Sequence, residues 1–141
     1  MRIFKCLLVF SIFPLFSGCQ VFGPDRLQHF TTDGCSLFPE GTHRHKDLWH
    51  QCCTEHDKKY WVGGSYNERK NADLALRTCV QSVGQPSIAD LMLAGVRVGG
   101  SPWWLSSFRW GYGWPYTHGY RVLTLQELEQ VRKQKEGQDS N

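Results

Sequence analysis

The sequence lacks an excess of charge of either sign. Its 16 lysines and arginines oppose 13 aspartates and glutamates, which gives a formal net charge of +3. Two of the basic residues, Arg2 and Lys5, lie at the N-terminus ahead of the first apolar run, and without them the balance is close to neutral. Proteins that bind nucleic acids usually present a basic surface to the phosphates. We therefore expect no nucleic-acid partner.

The sequence also lacks an apolar run long enough to span a bilayer comfortably. Its main apolar run, residues 7–16, follows the short basic start and leads into Ser17, Gly18 and Cys19. A membrane-spanning helix needs about 20 apolar residues, whereas a shorter run with a basic start is typical of an export signal. The segment "FSGC" resembles a bacterial lipobox, in which the cysteine is lipidated and becomes the first mature residue. The alternatives are an uncleaved anchor and an ordinary signal followed by a chance cysteine.

The lipobox resemblance implies a location on a membrane. A lipidated Cys19 would hold the protein on the membrane surface rather than across it, so we expect a phospholipid membrane as a partner. The sequence identifies no protein partner. By resemblance to the sorting of enteric lipoproteins, Gln20 in place of aspartate implies the bacterial outer membrane. We predict a signal peptide over residues 1–18, a linker over 19–32 and a single domain over 33–141.

Cysteines are few, and their positions restrict the disulfide pattern. Cys6 lies in the predicted signal and Cys19 would carry lipid, so four remain: Cys35, Cys52, Cys53 and Cys79. Four cysteines in an exported chain predict two disulfides. Adjacent cysteines rarely bond each other because the geometry is strained. Each of the adjacent pair should therefore form one long-range bridge, and the choice between the two possible pairings stays open.

Histidines close to the adjacent cysteines raise the alternative of a zinc site. They are His43, His45 and His50. Zinc ligation requires reduced cysteines, which an oxidising compartment does not favour. We therefore expect disulfides rather than zinc.

Helical periodicity dominates the middle of the chain. Residues 46–62 contain no proline or glycine, and their apolar and half-apolar residues recur at helical spacing. The segment "VGGSYNE" turns the chain, and Ser65 or Asn67 is expected to cap a second helix over 67–83. The two helices predict an antiparallel hairpin.

The remaining segments complete a small all-α domain. A loop rich in glycine and proline, residues 33–42, precedes the hairpin, and a shorter third helix is expected over 86–96. Residues 99–120 form an irregular segment rich in aromatic residues. Thr124 and Glu127 form a capping box that opens a last, charged helix before a polar tail. We predict a disulfide-braced fold built on the hairpin.

The segment "CCTEHDKKYW", residues 52–61, carries the groups most suited to chemistry. In a helix Cys52, His56 and Tyr60 share one face, because they stand four residues apart. Cys53 and Asp57 share the neighbouring face. An imidazole, a carboxylate and a phenol would therefore lie close together, beside two cysteines that fix the helix to other segments.

A carboxylate on the second helix would complete this arrangement. If a disulfide joined Cys52 to Cys79, the hairpin would bring Asp73 within about one turn of the histidine and the tyrosine. An imidazole with an orienting carboxylate is a general-base arrangement. Asp57 would then be free to face the loop over 33–42. A carboxylate and loop carbonyls are oxygen ligands, which suit Ca²⁺.

The pattern C-C-x-x-H-D-x-x-Y, followed on the next helix by D-x-x-x-x-x-C, resembles the secreted phospholipase A2 family. The match covers roughly residues 33–80. The resemblance implies calcium-dependent hydrolysis of the sn-2 ester of glycerophospholipids. It also implies that His56 is the general base, that Asp73 orients it and that Tyr60 belongs to the same hydrogen-bond network.

The same resemblance implies a calcium site and a disulfide pairing. Asp57 would bind Ca²⁺ together with carbonyls near Gly34, Ser36 and Phe38. The implied disulfides are Cys35–Cys53 and Cys52–Cys79. The loop has "LFPEG" where the family has a run of glycines. The alternative function is therefore a non-catalytic envelope lipoprotein that uses the scaffold as a binding or structural module.

The aromatic segment, residues 101–120, has two interpretations. It holds four of the six tryptophans: Trp103, Trp104, Trp110 and Trp114. Tryptophan and tyrosine favour the boundary between water and lipid, so these rings are candidates for membrane contact. The alternative is that they fill the core of a small domain. Three arginines of the region are candidates for binding phosphate headgroups or for stacking on the rings: Arg97, Arg109 and Arg121.

Overall fold

A computed structural model describes residues 25–139. Over that range the chain is all-helical and contains no strand, which confirms the predicted class for this part. The helices are α1 (His50–Val62), α2 (Tyr66–Ser82), α3 (Pro86–Gly99) and α4 (Leu125–Asp139), with a 3₁₀ turn at Tyr116–His118. No helix within 25–139 is long and apolar enough to cross a membrane. The predicted signal peptide and the lipidation site Cys19 lie outside the described residues.

The boundaries between α1 and α2 follow from local chemistry. Gly63 and Gly64 have φ angles of 70° and 129°, which glycine adopts readily, and they end α1. Ser65 then caps α2, because its hydroxyl accepts from the N–H of Glu68 while the Glu68 carboxylate accepts from the N–H of Ser65. The turn and the cap were both predicted from sequence and are confirmed.

The first helix begins four residues later than predicted. Residues 46–49 form turns instead of helix. The N–H of Trp49 donates to the carbonyl of Glu40 at 3.0 Å, and the indole of Trp49 donates to the carbonyl of Pro39 at 2.6 Å. These contacts tie the start of α1 to the preceding loop, and no local periodicity encodes them.

Two disulfides join the first helix to its neighbours. Cys35–Cys53 connects the 33–42 loop to α1, and Cys52–Cys79 connects α1 to α2. This is the pairing that the family resemblance implied, and it is confirmed. The second bridge links the start of α1 to the end of α2, while Tyr60 near the end of α1 contacts Arg69 near the start of α2.

Among residues 25–139, three apolar clusters form the core, and the two larger ones contain residues of all four α-helices. In the first, the disulfides pack with side chains of α2 and α3, including Leu76, Val80, Ala89 and Met92. In the second, Trp61 of α1 and Val131 of α4 pack with Leu27 and Trp114. The first region places α3 beside α2, and the second brings α4 and the end of α1 into one cluster with Leu27 and Trp114.

Trp110 and Trp114 are buried at the end of α1, each only 1% exposed. The indole of Trp110 donates to the carbonyl of Gly64, and that of Trp114 donates to the carbonyl of Val62. A helix leaves its last carbonyls without helical partners, and these indoles supply partners in or just after the last turn. The prediction of membrane contact is therefore wrong for Trp110 and Trp114, and the core interpretation applies to them.

Two tryptophans of the same segment remain accessible. Trp103 is 61% exposed and Trp104 is 54% exposed. The indole of Trp104 donates to the carbonyl of Val98 at the end of α3, which fixes its ring beside another exposed apolar residue. For these two rings, membrane contact stays a prediction.

Residues 25–32 are irregular, as predicted, but the described part of the linker is packed against the domain. Leu27 is buried, and its N–H donates to the side chain of Gln130 on α4. The backbone N–H of Gln28 donates to the carbonyl of Gly113, and its backbone carbonyl accepts from the indole of Trp61. This part of the predicted linker is therefore joined to the domain through backbone groups of Leu27 and Gln28.

The last helix begins at the predicted capping box. The N–H of Glu127 donates to the hydroxyl of Thr124, and the N–H of Thr124 donates to the carboxylate of Glu127. Glu127 is also buried, and it pairs with His118 and Arg121. The cap of α4 is thus tied to the aromatic segment.

Candidate active site

The histidine, the tyrosine and the second aspartate of the sequence motif meet between α1 and α2. Nε2 of His56 lies 3.2 Å from Oδ1 of Asp73. The hydroxyl of Tyr60 donates to the same oxygen at 2.7 Å, and the rings of His56 and Tyr60 lie 4.2 Å apart between centroids. All three side chains are buried. A single carboxylate oxygen therefore holds both the imidazole and the phenol.

Two arginines that the motif does not include surround the other oxygen of Asp73. Nε of Arg97 lies 2.9 Å from Oδ2, and Nε of Arg69 lies 4.0 Å from it. The Arg97 pair is close enough for an ion pair but lacks the alignment of a hydrogen bond. Arg69 stands four residues before Asp73 on one helix, a spacing from which sequence could have identified it. Arg97 comes from α3, and no spacing rule identifies it.

Asp57 is joined to the start of the 33–42 loop through Thr32. It is 8% exposed, and its Oδ2 accepts from the hydroxyl of Thr32 at 2.6 Å. That hydroxyl in turn accepts from the N–H of Gly34 at 3.0 Å. Thr32 lies outside the motif, so sequence reasoning missed it.

The electrostatics of Asp57 suit a cation. Burial raises the pKa of this carboxyl to about 6, although the hydrogen bond from Thr32 and the charge of His56 lower it. The nearby Asp33 carboxylate raises it further. Charging a buried carboxylate beside a second acid is unfavourable, and a bound cation would relieve that cost.

The loop residues predicted to supply metal ligands lie around the same space as Asp57. Gly34, Ser36 and Phe38 line one cavity with it. Residues 25–139 contain no cluster of three or more histidine, cysteine or acidic side chains suited to a metal. A cation there would depend on one or two carboxylates and on backbone carbonyls, which are ligands that Ca²⁺ accepts. All four cysteines in this range are disulfide-bonded, so the zinc alternative loses its thiolates.

The loop also contains a non-glycine residue in the left-handed region. Leu37 has a φ of 61°, and its side chain is 94% exposed. This conformation is uncommon for a residue with a side chain as large as leucine. Leu37 belongs to the segment that replaces the family's glycine run, and it lies at the cavity.

The cavity has a volume of ≈ 380 Å³, within the roughly 300–1,000 Å³ of small-molecule sites. His56, Asp57 and Tyr60 of α1 and Ser36 of the loop supply its polar side chains. The rest is mostly apolar and comes from the loop, α2, α3 and the aromatic segment: Leu37, Phe38, Leu76, Leu91, Met92, Val96 and Phe108. A space with this lining accommodates a hydrocarbon chain better than a polar substrate.

The other arginines of interest are engaged within the protein. The guanidinium of Arg109 lies 4.9 Å from the ring centroid of Tyr116 and donates to the carbonyls of Gly111 and Trp114. Arg121 pairs with Glu127. For Arg109 the stacking interpretation therefore applies, and headgroup binding by Arg121 stays a prediction.

Comparisons of this chain with protein-family models, with curated proteins and with solved structures found no match. The functional interpretation therefore rests on the residues themselves. Their common feature is a carboxylate-held imidazole and a buried acid at the wall of one apolar cavity.

Proposed function

We propose that this chain is a membrane-tethered, calcium-dependent hydrolase similar to phospholipase A2, which cleaves the sn-2 ester of glycerophospholipids. The observation that carries the proposal is the placement of His56, held by Asp73, beside Asp57 at one apolar cavity. In this proposal α1 and α2 are the antiparallel hairpin, and the 33–42 loop is the metal-binding loop. The aromatic segment completes the domain.

His56 acts as the general base. The Asp73 carboxylate accepts a hydrogen bond from the N–H at Nε2 of His56. This holds the ring in the tautomer in which Nδ1 is free to accept a proton. Nδ1 takes a proton from water as the water oxygen attacks the ester carbonyl. The same proton then passes to the departing glycerol oxygen, which leaves a free fatty acid and a lysophospholipid. Tyr60 restrains the carboxylate that orients the ring.

Asp57 and carbonyls near Gly34, Ser36 and Phe38 would hold Ca²⁺. When bound, Ca²⁺ polarises the ester carbonyl and stabilises the negative charge that develops on its oxygen. Thr32 orients the Asp57 carboxylate through a hydrogen bond to Oδ2. The apolar walls of the cavity hold the acyl chain and keep bulk water from the reacting ester.

The tether and the exposed tryptophans would keep the enzyme at its substrate. Lipidation at Cys19 would fix the chain to a bacterial envelope membrane, which we expect to be the outer membrane. Trp103 and Trp104 are the exposed aromatic residues of the 101–120 segment best suited to the lipid interface.

The test is fatty-acid release from mixed phospholipid vesicles by the oxidised protein without its signal, with Ca²⁺ and with chelator. We expect release that depends on Ca²⁺ and is lost in H56Q and D57N, two near-isosteric changes. Release that persists in H56Q, or in chelator, would contradict the assigned roles.

A second candidate function is a binding or structural module on the same scaffold. The observation that favours it is the altered loop, in which Leu37 occupies a left-handed conformation where glycine would be unstrained. If folded protein with both disulfides releases no fatty acid over a wide range of Ca²⁺ concentrations, this second function replaces the first.

A further inference from the structure

The carboxylate of Asp73 is fully buried, and its two oxygens have different surroundings. Oδ1 accepts from Tyr60 and faces Nε2 of His56. Oδ2 has no hydrogen bond among residues 25–139, and the closest cationic atom to it is Nε of Arg97 at 2.9 Å. A buried carboxylate needs a compensating charge, and on this side an arginine supplies it.

The second arginine is committed elsewhere. Nη2 of Arg69 donates to the carbonyls of Val96 and Arg97 near the end of α3, and its Nη1 donates to the hydroxyl of Tyr120. Its Nε donates to Tyr60. Arg69 thus mainly joins α2 to α3 and to the aromatic segment, and its Nε is farther from Asp73 than that of Arg97.

Arg97 is held in place by α2 and lies beside the cavity wall. Its Nη2 donates to the carbonyl of Lys70 at 3.2 Å, which fixes the guanidinium against the helix that carries Asp73. The residues around it on α3, Val96 and Gly99, line the cavity. One side chain therefore connects the wall of the substrate cavity to the carboxylate that holds the histidine.

We propose that Arg97 is a positioning residue for the catalytic histidine and acts on it through Asp73. The fixed positive charge beside Oδ2 holds the carboxylate in the orientation in which Oδ1 meets the imidazole. Without it, only the more distant Nε of Arg69 remains beside Oδ2, and the buried carboxylate turns or recruits other groups. The kinetic part of this inference rests on the proposed function, but the contact with the histidine is testable without catalysis.

The first measurement is the ¹⁵N chemical shift of the His56 ring nitrogens in the oxidised, folded protein, assigned by comparison with H56Q. We expect R97Q to shift the Nε2 signal and R97K to shift it less in the same direction, because lysine keeps the charge but not the Nε atom. The control is R77Q, which removes a different α2–α3 ion pair: Nε of Arg77 lies 2.6 Å from Oδ1 of Asp90, and both side chains are exposed. We expect R77Q to leave the signal unchanged.

The outcomes decide the proposal whether or not the protein is an enzyme. An Nε2 signal that R97Q leaves unmoved, or that R77Q moves equally, overturns it. If R97Q does not fold, R97K gives the test, and an unmoved signal there overturns the proposal.

The second measurement applies when wild-type protein hydrolyses a short-chain phosphatidylcholine with Ca²⁺. We expect R97Q to lower kcat by about 10- to 100-fold, a loss typical of removing the partner that orients a histidine system, with little change in KM. We expect R77Q to retain the wild-type kcat. A change confined to KM would contradict a positioning role. Failure of wild-type protein to hydrolyse the lipid would reject the proposed function. The role of Arg97 would then be decided by the ¹⁵N chemical shift of His56 alone.

Discussion

At the scale of single residues, Thr32 orients Asp57, the predicted calcium ligand. Its hydroxyl donates to Asp57 and accepts from Gly34, so it joins the carboxylate to the loop that would complete the site. T32V keeps the shape of the side chain and removes both hydrogen bonds. We expect it to weaken Ca²⁺ binding about 10- to 100-fold, as loss of a partner behind a metal ligand typically does.

The measurement is calorimetric titration of Ca²⁺ into the oxidised protein. T42V is the matched control, because the Thr42 hydroxyl caps a turn at His45 in the same loop and does not contact Asp57. Equal Ca²⁺ affinity in T32V and wild type would show that Thr32 does not orient the ligand.

Sequence identified the site residues of α1 and also Asp73 of α2, but it missed the contacts that Thr32 and Arg97 make with them. His56, Asp57 and Tyr60 lie within a single turn and a half, where helical spacing determines which faces they occupy. Thr32 and Arg97 come from an irregular segment and from the third helix. Their positions follow from tertiary packing, which no local pattern encodes.

At the scale of elements, the attachment of α4 should depend on pH. Burial opposes ionisation of Glu127, but hydrogen bonds from Arg121 and Thr124 outweigh it and lower its pKa to about 2 from 4.5. A depressed pKa stabilises the fold above the unfolded value, and this stabilisation is lost as pH falls from about 4.5 towards 2. Burial and the charge of Arg121 lower the pKa of His118, so its stabilising effect fades below about 6.5. Both groups therefore lower the stability of the folded state as pH falls.

We expect E127Q to lower the thermal midpoint at pH 7 and to flatten its fall between pH 4.5 and 2. Circular dichroism against pH measures both. E129Q is the control, because Glu129 pairs with Arg132 on the exposed face of α4, where solvent screens the ion pair. Parallel pH curves for E127Q and wild type would refute the assignment of acid sensitivity to this cluster.

The start of a helix could be predicted where a nearby side chain caps it. It could not be predicted where it depends on a backbone group distant in the sequence. Ser65 and Thr124 begin their helices with reciprocal bonds to a glutamate three residues on, a relation visible in the sequence. The start of α1 depends on a bond from Trp49 to the carbonyl of Glu40, across a loop. The packed segment 25–32 depends on Gln130, more than 100 residues away.

At the scale of the whole molecule, the aromatic residues have two different roles. Trp110 and Trp114 close the end of α1 inside the domain, while Trp103 and Trp104 face outwards. Composition alone cannot separate these roles, because all four lie within one irregular stretch. The close approach of Gly63 to Gly111, where an added Cβ on Gly63 would lie 2.8 Å from the Gly111 Cα, shows how tightly the inner part is packed.

We expect the double variant W103S/W104S to bind phospholipid vesicles at least about tenfold more weakly than wild type, since each ring contributes apolar area to the interface. Sedimentation of the signal-free protein with vesicles measures this. The control is V122S/L125S, which removes two exposed apolar side chains before and at the start of α4. Equal losses in both double variants would indicate general hydrophobic adsorption.

The most direct test of the central claim uses phosphatidylcholine with distinguishable acyl chains at sn-1 and sn-2. The account predicts that the oxidised protein releases the sn-2 chain alone, only with Ca²⁺, and that H56Q releases neither chain. Release of both chains, or of the sn-2 chain by H56Q, would contradict an esterase whose base is the imidazole held by Asp73.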